Sequence, residues 1–123
     1  MSEAEAGEPI WNGQVLPFPN ATAHVEVTFN REELRLILLL YGRMVAEGEW
    51  RDYGIDFGRE KAVFLVYRRS SETPLYRIVK EPRLARRQGA YWIATGTGMV
   101  LKRGQELARV LRALEKPLRV VSV

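Results

Sequence analysis

Residues 52–67 read DYGIDFGREKAVFLVY, and their reading decides the fold. Tyr53, Ile55 and Phe57 alternate with Asp52, Gly54 and Asp56, the period of two that a half-buried strand requires. Gly58, Arg59 and Glu60 turn the chain. Ala62 to Tyr67 is apolar at every position, as in a central strand covered on both faces. Downstream, a turn at residues 70–74 leads to a strand over Leu75 to Lys80, a basic loop over Pro82 to Gly89 and a strand over Tyr91 to Thr95. Gly96-Thr97-Gly98 breaks the chain again.

Upstream, Val25, Val27 and Phe29 alternate with His24, Glu26 and Thr28, which predicts a short strand. A helix follows. Asn30 suits the N-cap, Glu33 stands where a capping box needs it, and Phe29 and Leu34 occupy the staple positions. The helix should run to about Ala46, with Gly48 as its stop. Leu34, Ile37, Leu38, Tyr41, Met44 and Val45 fill one apolar arc, while Leu36, Leu39 and Leu40 fall on its back. That back needs cover, from the N-terminal tail or from a second copy in a homodimer. The last helix, about Gly104 to Lys116, has a buried stripe of Leu107, Val110, Leu111 and Leu114. Gln105, Arg109, Arg112 and Lys116 lie opposite that stripe. Pro117 ends the helix, and Leu118 to Val123 offers a further edge strand.

The predicted fold class is α+β: an antiparallel four- to five-stranded sheet packed by two helices, in the order β-α-β-β-β-β-α. Residues 1–23 read as a flexible acidic tail, and residues 24–123 as one α+β domain. Within the tail, Trp11, Val15, Leu16 and Phe18 are apolar enough to dock on something. The length of 123 residues suits a single core without metals or disulfides. There is no cysteine, which removes thiolate metal sites and cysteine nucleophiles and fits a reducing compartment. No apolar run is long enough to span a bilayer, and the acidic start lacks a secretory signal's features. A cytoplasmic location follows as an expectation.

The stretch from Leu40 to Tyr53, together with Arg68-Arg69, Pro74 to Ile78 and Arg86 to Tyr91, resembles a family of short alphaproteobacterial proteins classed as a domain of unknown function. The resemblance covers roughly residues 25–116. It implies a bacterial cytoplasmic protein and assigns no activity, cofactor or catalytic residue.

The residues favour no catalytic site. His24 is the one histidine, without ligands spaced around it and without a Gly-x-Ser-x-Gly elbow elsewhere. No metal or cofactor is expected. Glu47, Glu49, Asp52, Asp56 and Glu60 form an acidic stretch in which Asp52 and Asp56 share a strand face. Arg51 and Arg59 stand near enough to pair with these carboxylates, so a solvated surface is the simpler account. Gly96-Thr97-Gly98 fails both nucleotide signatures. Position 101 is Leu101 rather than glycine, and Gly104 is followed by Gln105 rather than lysine.

Charge is the remaining signal. The net charge of +4 divides into −6 over residues 1–60 and +10 over residues 61–123. Fifteen of the 19 basic residues are arginine, whose planar fork matches phosphate and carboxylate. Arg68, Arg69, Arg77, Lys80, Arg83, Arg86, Arg87, Lys102, Arg103, Arg109, Arg112 and Lys116 compose the basic set. Tyr76, Tyr91 and Trp92 interleave with it and would supply stacking surfaces for bases. Lys102 and Arg103 are expected just before a helix N-terminus, a favourable place for phosphate. The order helix, strands, Gly-x-Gly, Lys-Arg, helix looks like the double-stranded-RNA-binding domain, from which an extra strand, the 82–89 loop and a very apolar first helix depart. Two functions follow as expectations: a non-enzymatic module contacting RNA, DNA or another polyanion, and a homodimer closed by Leu36, Leu39 and Leu40.

Overall fold

Helix formation at Asn30 is settled by two reciprocal hydrogen bonds. The backbone N–H of Glu33 donates to the Asn30 side chain at 2.8 Å, and the backbone N–H of Asn30 donates to Glu33 Oε1 at 2.8 Å. In the computed structural model, which describes residues 25–69 and 73–115, helix α1 follows over Arg31–Ala46. Gly48 takes a positive φ of 80° just beyond it, as a helix stop commonly does.

Five strands make one antiparallel sheet in sequential order: β1 Asp52–Phe57, β2 Ala62–Tyr67, β3 Tyr76–Lys80, β4 Tyr91–Thr95 and β5 Val100–Gly104. Helix α2 is short, Leu107–Leu111, and runs into a 3-10 turn over Arg112–Leu114. The fold is therefore α+β, with helix, five strands and helix in order. The register aligns Phe64 with Ile78 and Ile78 with Ile93. That row is fully buried beneath Ile37 and Leu40 of α1 and beneath Leu107, Val110, Leu111 and Leu114 from the α2 region. Both helices thus cover the same face.

Details differ from the sequence reading for physical reasons. Val25 to Phe29 contributes a single bridge, Val27 to Gly58, because the Asn30 cap turns the chain into α1 at once. Val100–Gly104 is a strand, so the last helix starts three residues later than read. A bulge hid it: Ile93 pairs with Lys102 but Ala94 with Val100, leaving Leu101 over and breaking the alternation. Helix α1 is also rotated. Its buried line is Glu33, Ile37 and Leu40, while Leu38 and Val45 are exposed. The tail, His24, residues 70–72, Lys116 and the strand expected over Leu118 to Val123 lie outside the described residues.

Glu33 explains the rotation. Its carboxylate accepts from Lys80 Nζ of β3 at 2.8 Å and from the Tyr91 hydroxyl of β4. Lys80 also donates to the Thr28 carbonyl at 2.8 Å. Burial alone would raise the Glu33 pKa, but hydrogen bonds from Lys80, Tyr91 and the Asn30 backbone hold it below the ordinary value. Tyr91 is pushed up to about 12, first by burial and then by its bond to Glu33, so it remains a donor at neutral pH. A depressed carboxylate contributes stability above its unfolded pKa and loses it as pH falls through the folded one. Urea midpoints should therefore drop as pH falls below about 4. Glu33→Gln should cost about 1–3 kcal/mol at pH 7 and flatten that acid limb. An acid limb unchanged by the substitution contradicts this assignment.

Candidate anion-binding interface

Strand β5 lies at one edge of the sheet, and alternation sends its neighbouring cations to opposite sides. Lys102 pairs with Ile93 and so shares the helix-covered side. Arg103 pairs with Trp92 on the side that carries no helix among the described residues. Its guanidinium lies 5.2 Å from the Trp92 ring centroid, and Lys61 Nζ lies 5.7 Å from the same ring. The Trp92 indole N–H donates to buried Glu81 at 3.3 Å, which also receives Arg83 at 3.0 Å. Across β4, Arg77 donates to the Gly96 carbonyl at 3.2 Å. Packing rather than a carboxylate therefore holds Arg77 and Arg103. Arg77 Nε and one terminal nitrogen of Arg103 are buried without a hydrogen-bond partner.

On the other side, a groove of about 700 Å³ opens between β5 and α2. Lys102, Arg109 and Arg112 line it, and Glu106, also on its wall, pairs with Arg109 at 3.2 Å. Loop 82–89 closes against the end of this strand. Gly89 has φ +104°, and a Cβ there would stand 2.5 Å from the Gly104 carbonyl oxygen, so only glycine lets the two backbones touch. Gln105 donates to the Ala85 carbonyl and fixes the contact. The exposed Arg86 and Arg87 are thereby carried to the same rim.

The basic set divides under this geometry. Arg68 is paired with Glu49 at 3.4 Å, Arg83 with Glu60 at 3.4 Å and with Glu81, and Lys80 is committed to Glu33. Those pairings replace the ones expected from Arg51 and Arg59. Arg69 is exposed near Arg68, at the opposite end of the sheet from loop 82–89. Arg86, Arg87, Lys102, Arg103 and Arg112 form no ion pair among the described residues. Lys102 and Arg103 sit on a strand rather than at a helix start, and α2 has five residues, so the helix-dipole reading of that pair does not apply. Of the stacking trio, Tyr76 packs toward Trp50, with ring centroids 6.2 Å apart, and Tyr91 is tied to Glu33. Trp92 alone faces the helix-free side, already beneath two cations. In the leucine trio, Leu40 is core and Leu36 packs against it, leaving Leu39 exposed.

Asp52 and Asp56 lie on β1, at the opposite edge from the groove. Among the described residues no three His, Cys, Asp or Glu side chains gather as metal ligands, and no helix is long and apolar enough to cross a membrane.

A two-layer α+β domain with a cationic edge is the class these features define. Its residues 27–111 match the model of the family described as protein of unknown function DUF2794, and the chain belongs to that family. Comparisons with curated proteins and with solved structures find no match.

Gly89→Ala tests the loop contact, since it adds both a strained φ and a clash with Gly104. The expected cost is about 1–3 kcal/mol in chemical denaturation, with faster amide exchange over 84–89 and 104–105. Unchanged stability and exchange would show that the loop does not depend on this approach.

Proposed function

We propose that this chain is a cytoplasmic, non-enzymatic binding module that contacts nucleic acid or another polyanion along β5. The observation that carries the reading is the grouping of unpaired cations there. Lys102 and Arg103 flank the edge strand, Arg86 and Arg87 come from the docked loop, and Arg112 comes from the turn after α2. Like charges held close repel, and an anion bridging them relieves that cost. Arginine adds bidentate geometry suited to phosphate oxygens. Strand exposure supplies length: five residues of β5 run about 16 Å, enough to follow several phosphates of an extended strand.

The proposal does not require base stacking. Tyr76 and Tyr91 are committed to the core side, and Trp92 supports Arg103 and Lys61. Affinity should thus depend on charge more than on sequence. The dimer reading keeps Leu39 alone from its original trio, and the cationic edge is the better-supported surface.

Fluorescence anisotropy with mixed-sequence single-stranded and duplex RNA and DNA, titrated against salt, measures this directly. The logarithm of the association constant should fall linearly with that of salt, by about 0.7 per phosphate contact on single strands. The double variant K102E/R112E should bind at least about tenfold more weakly, whereas R68E, which removes a cation already paired with Glu49, should change little. Absence of binding at low salt, or a slope near zero, rejects the proposal.

A further inference from the structure

Leu38, Val45, Tyr53, Ile55 and Phe57 are each 36–44% exposed, and they form one strip. Leu38, Tyr41 and Val45 recur at i, i+3 and i+7 on the flank of α1 that faces β1. Tyr53, Ile55 and Phe57 share one side of β1. Tyr41 joins the two rows, its ring edge-on to Tyr53 at 4.9 Å. Helix α1 centres on Ile37 and Leu40 over the inner strands, so the outermost strand keeps its apolar side partly uncovered. A contiguous surface of this kind marks an interaction site.

We infer that the strip is the docking site of the chain's own segment Ile10–Phe18, independently of the anion-binding proposal. Three observations favour that occupant. The described chain enters at one end of the strip: the Val27 N–H donates to the Gly58 carbonyl at 2.8 Å, directly after Phe57, and the Phe29 ring lies 6.5 Å from that of Phe57. Residues 10–24 contain no Lys, Arg, Asp or Glu, and they carry Ile10, Trp11, Val15, Leu16 and Phe18. The seven residue steps from Phe18 to Val25 reach about 23 Å when extended, and Tyr53 to Phe57 spans about 13 Å, so the segment is long enough to reach back over the strip.

Two other occupants fit less well. A second copy continuing the sheet across β1 sets its Asp52 and Asp56 beside those of the first, opposing like charges. The residues after Glu115 start from the Arg43 side of α1, where the two are paired at 3.7 Å. Arg43 is two residues from Val45, about 160° away around the helix from the strip.

The absence of cysteine makes a single spin label simple to place. A nitroxide on Gln14→Cys in the full isotope-labelled chain should reduce the amide peaks of residues 53–57 and 38–45 several-fold, and leave β5 unaffected. Adding Trp11→Ser and Phe18→Ser should restore those peaks while the sheet's chemical shifts stay in place. Unbroadened β1 amides overturn the inference. So does broadening that persists when the label sits only on an unlabelled-isotope copy mixed with the observed one, since a second molecule is then the occupant.

Discussion

One buried carboxylate connects every layer of this domain. Glu33 closes the capping box of α1, receives Lys80 from β3 and receives Tyr91 from β4. A lone buried charge is costly, and each of these partners offsets part of that cost. The requirement is geometric as well as energetic. Glu33 can meet both strands only if the first turn of α1 lies over their paired ends, where Lys80 stands opposite Tyr91. That placement fixes the rotation of the helix, turning Ile37 and Leu40 inward and leaving Leu38 and Val45 at the flank. Leucines lie on more than one side of α1, so hydrophobic burial alone leaves its rotation loosely set, and a polar anchor settles the choice.

The one-sided placement of the helices has a second consequence. β2 is apolar at every position, yet its two faces meet different surroundings. Ala62, Phe64 and Val66 are buried, while Val63, Leu65 and Tyr67 are half-buried on the helix-free side. Val79 and Ala94 on that same side are nonetheless almost wholly covered, with Arg77, Trp92 and Arg103 as their neighbours in the register. Long side chains lay their stems over apolar surface and keep their heads outward. The arginines of β3 and β5 therefore serve packing as well as charge, and removing one would change both together.

Strands whose alternation is unbroken were legible from sequence, and β1, β2 and β4 match their expected ranges to the residue. β5 was not, because the bulge between Ile93 and Ala94 shifts the phase midway. The fate of the aromatic trio was implicit in parity. Ile78 and Ile93 face the core, so Tyr76 and Tyr91, two residues away, must face it too, and Trp92 must face out. The positive character of the second half needs only counting. Which cations are already neutralised does not follow from counting, since Arg68–Glu49 and Arg83–Glu60 bring together residues 19 and 23 positions apart. Such pairs depend on strand register, which composition does not encode.

Register is also what separates structural charge from available charge here. Glu81 and Glu33 are the buried carboxylates among the described residues, and each holds a cation: Arg83 at one, Lys80 at the other. Each such pair removes a positive charge from the usable surface, although the sequence total is unchanged. The +10 of the second half is thus an upper limit on what a polyanion meets. Much of what survives lies along β5 and the loop docked on it, where no further strand among the described residues brings carboxylates into reach. Among the described residues that edge presents unpaired backbone groups, a hazard that charged side chains such as Lys102 and Arg103 restrain by discouraging strand addition. Protection of the edge and attraction of an anion are then two effects of one set of side chains, and the unpaired Arg112 across the groove, unnecessary for the first, is what favours the second.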